Sequence, residues 1–182
     1  AESLVGLVDE LSILSRAQLL VVLALQKAKK GRAAGGFLER LKASGALQLA
    51  FGALVNPGDE ILMPDPAYPC NRNLVRFFEG SVKSIPVGPQ TQYQLTRELI
   101  EANWSGKTRG VLIASPSNPT GTMIAPSEMR AILETVHARG GVAIVDEIYQ
   151  GLTYASAFES ALAHSDRIFV VNSFSKYFSM TG

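Results

Sequence analysis

The apolar positions change period once along the chain. In the first 40 residues, Leu4, Leu7, Val8, Leu11, Leu14, Val21, Val22 and Leu25 recur at three- and four-residue steps, which predicts an amphipathic helical segment over 1–40. Its most apolar block, LLVVLAL at 19–25, is far short of the ~20 residues a membrane span requires. Asp9, Glu10 and Arg16 interrupt the stretch before it, and Glu2 stands where a signal peptide would carry basic residues. KAKKGR, which follows, reads as a helix end, with cations near the C-terminal dipole and Gly31 as the cap, its alternative being a nuclear or nucleic-acid patch.

From residue 44 the pattern becomes short apolar runs alternating with helical stretches. SGALQLAFGALV predicts a helix with Ser44 as N-cap and the turn NPGD after it. EILMP (60–64) and SVKSIPV (81–87) read as short strands. RGVLIASP (109–116), GVAIVDE (141–147) and RIFVVNSFS (167–175) are near-continuous β-rich runs, the signature of parallel strands covered on both faces. APSEMRAILETVHARGG lies between the first two, with Pro126 near its start and Gly140–Gly141 closing it. Strand, helix and strand at this spacing make a βαβ unit, so the fold class is α/β.

Composition narrows the chemistry. Of 182 residues, 47% are apolar and 18% charged, the latter below the usual ~25%. A net charge of +1 gives no electrostatic case for nucleic acid or an anionic membrane as partner. Cys70 is the only cysteine, so no internal disulfide can form and a reducing, cytoplasmic setting is expected. With His137 and His164 far apart, no metal cluster is indicated.

The polar residues that end the strong strands fall in register. In open α/β sheets ligands bind beyond the carboxyl ends of the strands. Asn118 follows VLIASP, Asp146 ends VAIV, and Ser173 and Lys176 follow IFVVN. The spacings of 28 and 30 residues from Asn118 to Asp146 and from Asp146 to Lys176 each match one βαβ repeat, which puts an amide, a carboxylate and an amine along one sheet edge. A structural salt bridge between Asp146 and Lys176 is the plain alternative. Ser173, Ser175, Ser179 and Thr181 surround the lysine and Ser44 opens a helix, a combination suited to a phosphate. A lysine beside a phosphate site, with an acid one strand away, fits a phosphorylated aldehyde cofactor held as a Schiff base.

SPSNPTGT, VDEIYQG and NSFSKYFSMTG, preceded by NPGDEILMPDPAYP, resemble the signature segments of the pyridoxal-phosphate-dependent class I/II aminotransferases of fold type I. The resemblance covers about Ser44 to Gly182. It implies a three-layer α/β/α domain with a mainly parallel sheet, pyridoxal 5'-phosphate as cofactor, a homodimer, and transfer of an amino group from an amino acid to a 2-oxo acid. It also implies roles. Lys176 would form the Schiff base and move the substrate proton, and Asp146 would pair with the pyridine nitrogen. Asn118 and Tyr149 would bond the phenolic oxygen. Tyr68 would stack on the ring, its alternative being a loop aromatic covering core. Ser173, Ser175, Ala43 and Ser44 would hold the phosphate.

This chain departs from the family in its extent. The pattern in relatives continues with an arginine that clamps the phosphate and with a small domain, so residues 41–182 read as an incomplete cofactor-binding large domain. Two alternatives stand beside the aminotransferase reading: an incomplete chain of this family without turnover, and a lyase or decarboxylase of the same fold. A nucleotide-binding P-loop at SGKT (105–108) is rejected, because Glu101 stands where that motif needs glycine and the segment precedes a strand.

Overall fold

The computed structural model describes residues 43–154 and 158–180, so the helical segment expected over 1–40 lies outside the described residues. Five strands form one parallel sheet: β1 (Glu60–Asp65), β2 (Ser81–Pro86), β3 (Thr108–Ala114), β4 (Val142–Asp146) and β5 (Ile168–Val171), in the order β2-β1-β3-β4-β5. Among the described residues four α-helices accompany them: α1 (Ala43–Leu54), α2 (Pro69–Phe77), α3 (Arg97–Asn103) and α4 (Pro126–Ala138). The chain moves outward from β1 to β2, then returns to the other side of β1 for β3, β4 and β5. A topological switch therefore lies between β1 and β3.

Side chains alternate across the sheet, because strand residues point to opposite faces in turn. Ile61, Met63, Leu112, Ile144, Phe169 and Val171 pack with Leu47, Ala50 and Phe51 of α1 and Val75 of α2. Leu62, Val111, Ile113, Ala143 and Val145 pack on the opposite face with Ile100 of α3 and Ile132, Leu133 and Val136 of α4. The result is three layers, α/β/α. Residues 110–113 of β3 are all buried, as a strand covered on both faces requires, whereas edge strand β2 buries only Ile85.

Local sequence explains how the helices start and stop. Pro126 occupies the first turn of α4, where its missing N–H costs nothing, and Glu128 stands near the positive end of the dipole. The Glu128 carboxylate also accepts from Arg97 N at 2.7 Å, joining the start of α4 to that of α3. At the other end, Gly140 adopts φ +71°, Gly140 N donates to His137 O at 2.9 Å and Gly141 N to Val136 O at 2.9 Å. That is a Schellman closure. Thr96 caps α3 by accepting from Leu99 N. One expectation needs correction: Ser44 lies within α1 and is not the cap preceding it. Residues 105–108 sit at the amino end of the sheet, where Ser105 Oγ and Thr108 Oγ1 donate to Glu60 Oε1 at 3.0 and 2.7 Å. Those hydroxyls tie the start of β3 to the start of β1.

Candidate active site

Strand register builds the site. Ala114 pairs with Asp146, and Asp146 with Val171, so the last residues of β3, β4 and β5 form one row at the carboxyl edge. Asn118 leaves the first of these ends, Tyr149 the second, and Ser173, Ser175 and Lys176 the third. A cavity of about 220 Å³ opens beyond this edge at the switch between β1 and β3, where Tyr68, Asn118, Asp146, Tyr149, Ser175 and Lys176 all line it.

Within it, the Asn118 side-chain amide donates to the Tyr149 hydroxyl at 3.4 Å. Lys176 Nζ stands 5.7 Å from the centroid of the Tyr149 ring. Lys176 makes no ion pair with Asp146, which removes the structural salt bridge as the reason for both residues. Tyr68 sits on the rim, 43% exposed, at the start of α2 with Pro69 next. Its hydroxyl's pKa is raised, mainly by Cys70 alongside.

Asp146 carries the main electrostatic signal. Burial pushes its carboxyl up to about 6, the Ile148 N–H donated to Oδ1 at 3.0 Å works against that rise, and the neighbouring Glu147 charge adds to it. No cation is paired with it among the described residues. A half-buried carboxylate that lacks a counter-charge and faces a cavity is poised to receive a cationic group.

The anion-binding candidates are distributed unevenly. Ser175 lines the cavity, while Ser173 does not and is bonded to it: Ser173 Oγ donates to Ser175 Oγ at 2.9 Å and accepts from Ser175 N at 3.1 Å. Ala43 and Ser44 begin the described part of α1, whose Leu47, about one turn on, lines the cavity. The side-chain surroundings of Ala43 and Ser44 lie outside what is described.

Two supporting residues escaped the reading of the sequence. Gln94 is 4% exposed; its amide nitrogen donates to Ala114 O at 3.2 Å and Thr122 O at 2.9 Å, closing the base of the loop that carries Asn118. No local pattern marks it, because its partners are 20 and 28 residues away. Glu147, 1% exposed, was visible only as a charge ending an apolar strand.

Known proteins show the same arrangement of sequence and fold. The sequence profile of aminotransferase class I and II matches residues 43–182. The valine–pyruvate aminotransferase of Mycobacterium tuberculosis is 45% identical over 141 residues, which cover 76% of this chain and 36% of that protein. A probable aspartate/prephenate aminotransferase of Aquifex aeolicus is 36% identical, over 75% of this chain and 36% of its own length. Among solved structures, an aminotransferase from Mycobacterium tuberculosis superposes with a TM-score of 0.73 at 44% identity, covering 77% of this chain and 36% of the other. An aspartate aminotransferase mutant from Thermus thermophilus gives 0.75 at 27% identity, covering 78% and 39%. The chain thus spans a little over a third of the length of these relatives. On its profile match, its identity to these enzymes and its parallel α/β sheet, the chain belongs to the aminotransferase class I and II family.

Proposed function

We propose that residues 41–182 are the cofactor-binding part of an aminotransferase, and that this part holds pyridoxal 5'-phosphate through Lys176. In the whole enzyme the activity is transfer of an amino group from an amino acid to a 2-oxo acid, in a cytoplasmic homodimer. The observation that carries the reading is the half-buried Asp146 carboxyl, without a cation of its own, in one cavity with Lys176 and the Asn118–Tyr149 pair.

The residues present fit this group. Asp146, ionised above about pH 6, supplies the counter-charge for a protonated ring nitrogen. Asn118 and Tyr149 offer an amide and a hydroxyl to the phenolic oxygen, and Tyr68 offers an aromatic face. Ser173 and Ser175, with the start of α1 at Ala43 and Ser44, are assigned to the phosphate. Lys176 is assigned two tasks: its amine would hold the cofactor by the aldehyde, and it would move a proton at the substrate Cα. Bound pyridoxal phosphate supplies the aldehyde that takes up amino groups and the ring that accepts electron density from the reacting carbon.

The test is a visible absorption spectrum after addition of pyridoxal phosphate, followed by borohydride reduction and peptide mass analysis. The expected result is a reduced adduct on the peptide containing Lys176, absent from Lys176→Ala. Labelling spread over surface lysines in the wild-type chain, or retained in that variant, would overturn the assignment.

A further inference from the structure

Glu147 is the most deeply buried charged side chain among the described residues. It follows Asp146 directly, and the two carboxyls part to opposite sides, as the two-residue period of a strand demands. Asp146 lines the cavity and Glu147 does not. Instead Glu147 Oε1 accepts from Ala161 N at 2.7 Å and Oε2 from Ser160 Oγ at 2.9 Å, at the start of the short 3-10 helix Ala161–Ala163. Its own N–H donates to Val171 O at 2.7 Å, the last residue of β5.

One residue therefore bonds three segments: the exit of β4, the exit of β5 and the 3-10 helix. The first two carry every side chain assigned above to the ring and the lysine end of the cofactor except Asn118 and Tyr68. A second tie runs parallel to it, because the Asn172 side-chain amide donates to Gln150 Oε1. Burial raises the Glu147 pKa, while its bonds to Ala161 and Ser160 oppose that rise. A carboxyl so deep in the protein is costly, and close packing alone is met better by an apolar side chain.

We infer that Glu147 is a positioning residue, which, by gripping the Ser160–Ala161 turn on the far side of the sheet edge, fixes the backbone from Asp146 to Tyr149 and its distance from the lysine loop. This rests on the assignment of Lys176, Asp146 and Tyr149 to the cofactor. Glu147→Gln keeps the grip, since the carboxamide oxygen still accepts from Ala161 N and its N–H can donate to Ser160 Oγ. Glu147→Ala loses both bonds, and Ser160→Ala loses one.

The experiment compares reductive labelling of Lys176 by pyridoxal phosphate in the full chain and these three variants, at a temperature where far-UV circular dichroism shows each folded. Labelling of the remaining lysines serves as the internal standard, which a purely structural role would leave in constant ratio to Lys176. Labelling of Lys176 should fall about tenfold or more in Glu147→Ala, fall a few-fold in Ser160→Ala, and stay within about twofold of wild type in Glu147→Gln. Wild-type labelling in folded Glu147→Ala overturns the inference, as does a loss in Glu147→Gln equal to that in Glu147→Ala. If Glu147→Ala does not fold, the two milder variants decide, and unchanged labelling in Ser160→Ala overturns it. Failure of the wild-type chain itself to label at Lys176 would instead remove the cofactor assignment on which it stands.

Discussion

Asp146 shows how a single residue can oppose the stability of the fold that positions it. Its carboxyl titrates near 6 in the folded protein against 3.8 as an ordinary group, because burial disfavours the charge. The folded state therefore holds a proton that the unfolded chain has released between about pH 4 and 6, so stability from this group falls as pH rises through that window. Above it, the ionised side chain costs up to about 3 kcal/mol, on the order of two pKa units. In cofactor-free protein, Asp146→Asn should be more stable than wild type at pH 8, with the gap closing toward pH 4, as urea unfolding at the two values would reveal. The substitution keeps the acceptor for Ile148 N, which isolates the charge. Gln94 works in the opposite sense. Gln94→Leu should destabilise by about 1–3 kcal/mol, because two part-buried carbonyls, Ala114 O and Thr122 O, lose a donor. Equal urea midpoints for Gln94→Leu and wild type would contradict that account. Asp146 was legible in the sequence because it ends an apolar run, whereas Gln94 was not, since its partners meet it only after folding.

At the scale of elements, the site depends on how closely β3 and β4 approach. A Cβ on Gly110 would lie 2.1 Å from Val142 O, in the neighbouring strand's backbone, where nothing flexible can yield. Gly110→Ala should therefore separate the pair that brings Ala114 beside Asp146, with a loss of roughly 3 kcal/mol or more and weaker labelling of Lys176. Gly140 makes a useful contrast. It stands in the left-handed region at φ +71° with open space around it, so Gly140→Ala should cost only about 1 kcal/mol. Thermal unfolding of the two variants would separate them, and equal losses would show that close approach of the strands is not what Gly110 provides. The three strong strands and α4 were evident from their runs of β-formers and from Pro126 and Gly140. Helices α2 and α3 were not anticipated: one is polar and opens at Pro69, and the other is seven residues long with a single buried residue, Ile100, too short for a helical period to emerge.

On the scale of the whole molecule, the lysine loop presents an apolar surface to solvent. Phe174, Tyr177, Phe178 and Met180 are 64%, 52%, 57% and 67% exposed, and the Phe178 ring meets Tyr177 edge-on and Phe174 at a tilt, with centroids 4.9 and 5.5 Å apart. A cluster of this kind favours association, in keeping with the proposed homodimer. Light scattering should show mass rising with concentration, and Phe178→Ser with Met180→Ser should weaken that rise; a wild-type monomer at high concentration would rule it out. Among the described residues no helix is long and apolar enough to cross a membrane. What the sequence determined by itself was local and periodic: which runs become buried parallel strands, and which residues, Asn118, Asp146, Ser173 and Lys176, leave their carboxyl ends one βαβ repeat apart. The tertiary structure decided what periodicity does not encode. Strand order put the cavity at the switch between β1 and β3, and burial raised the Asp146 carboxyl without giving it a counter-charge. Contacts across 13 to 28 residues made Glu147 and Gln94 supports of the site. Each of these depends on surfaces that meet only when distant segments pack, because burial and long-range hydrogen bonds are properties of the folded chain.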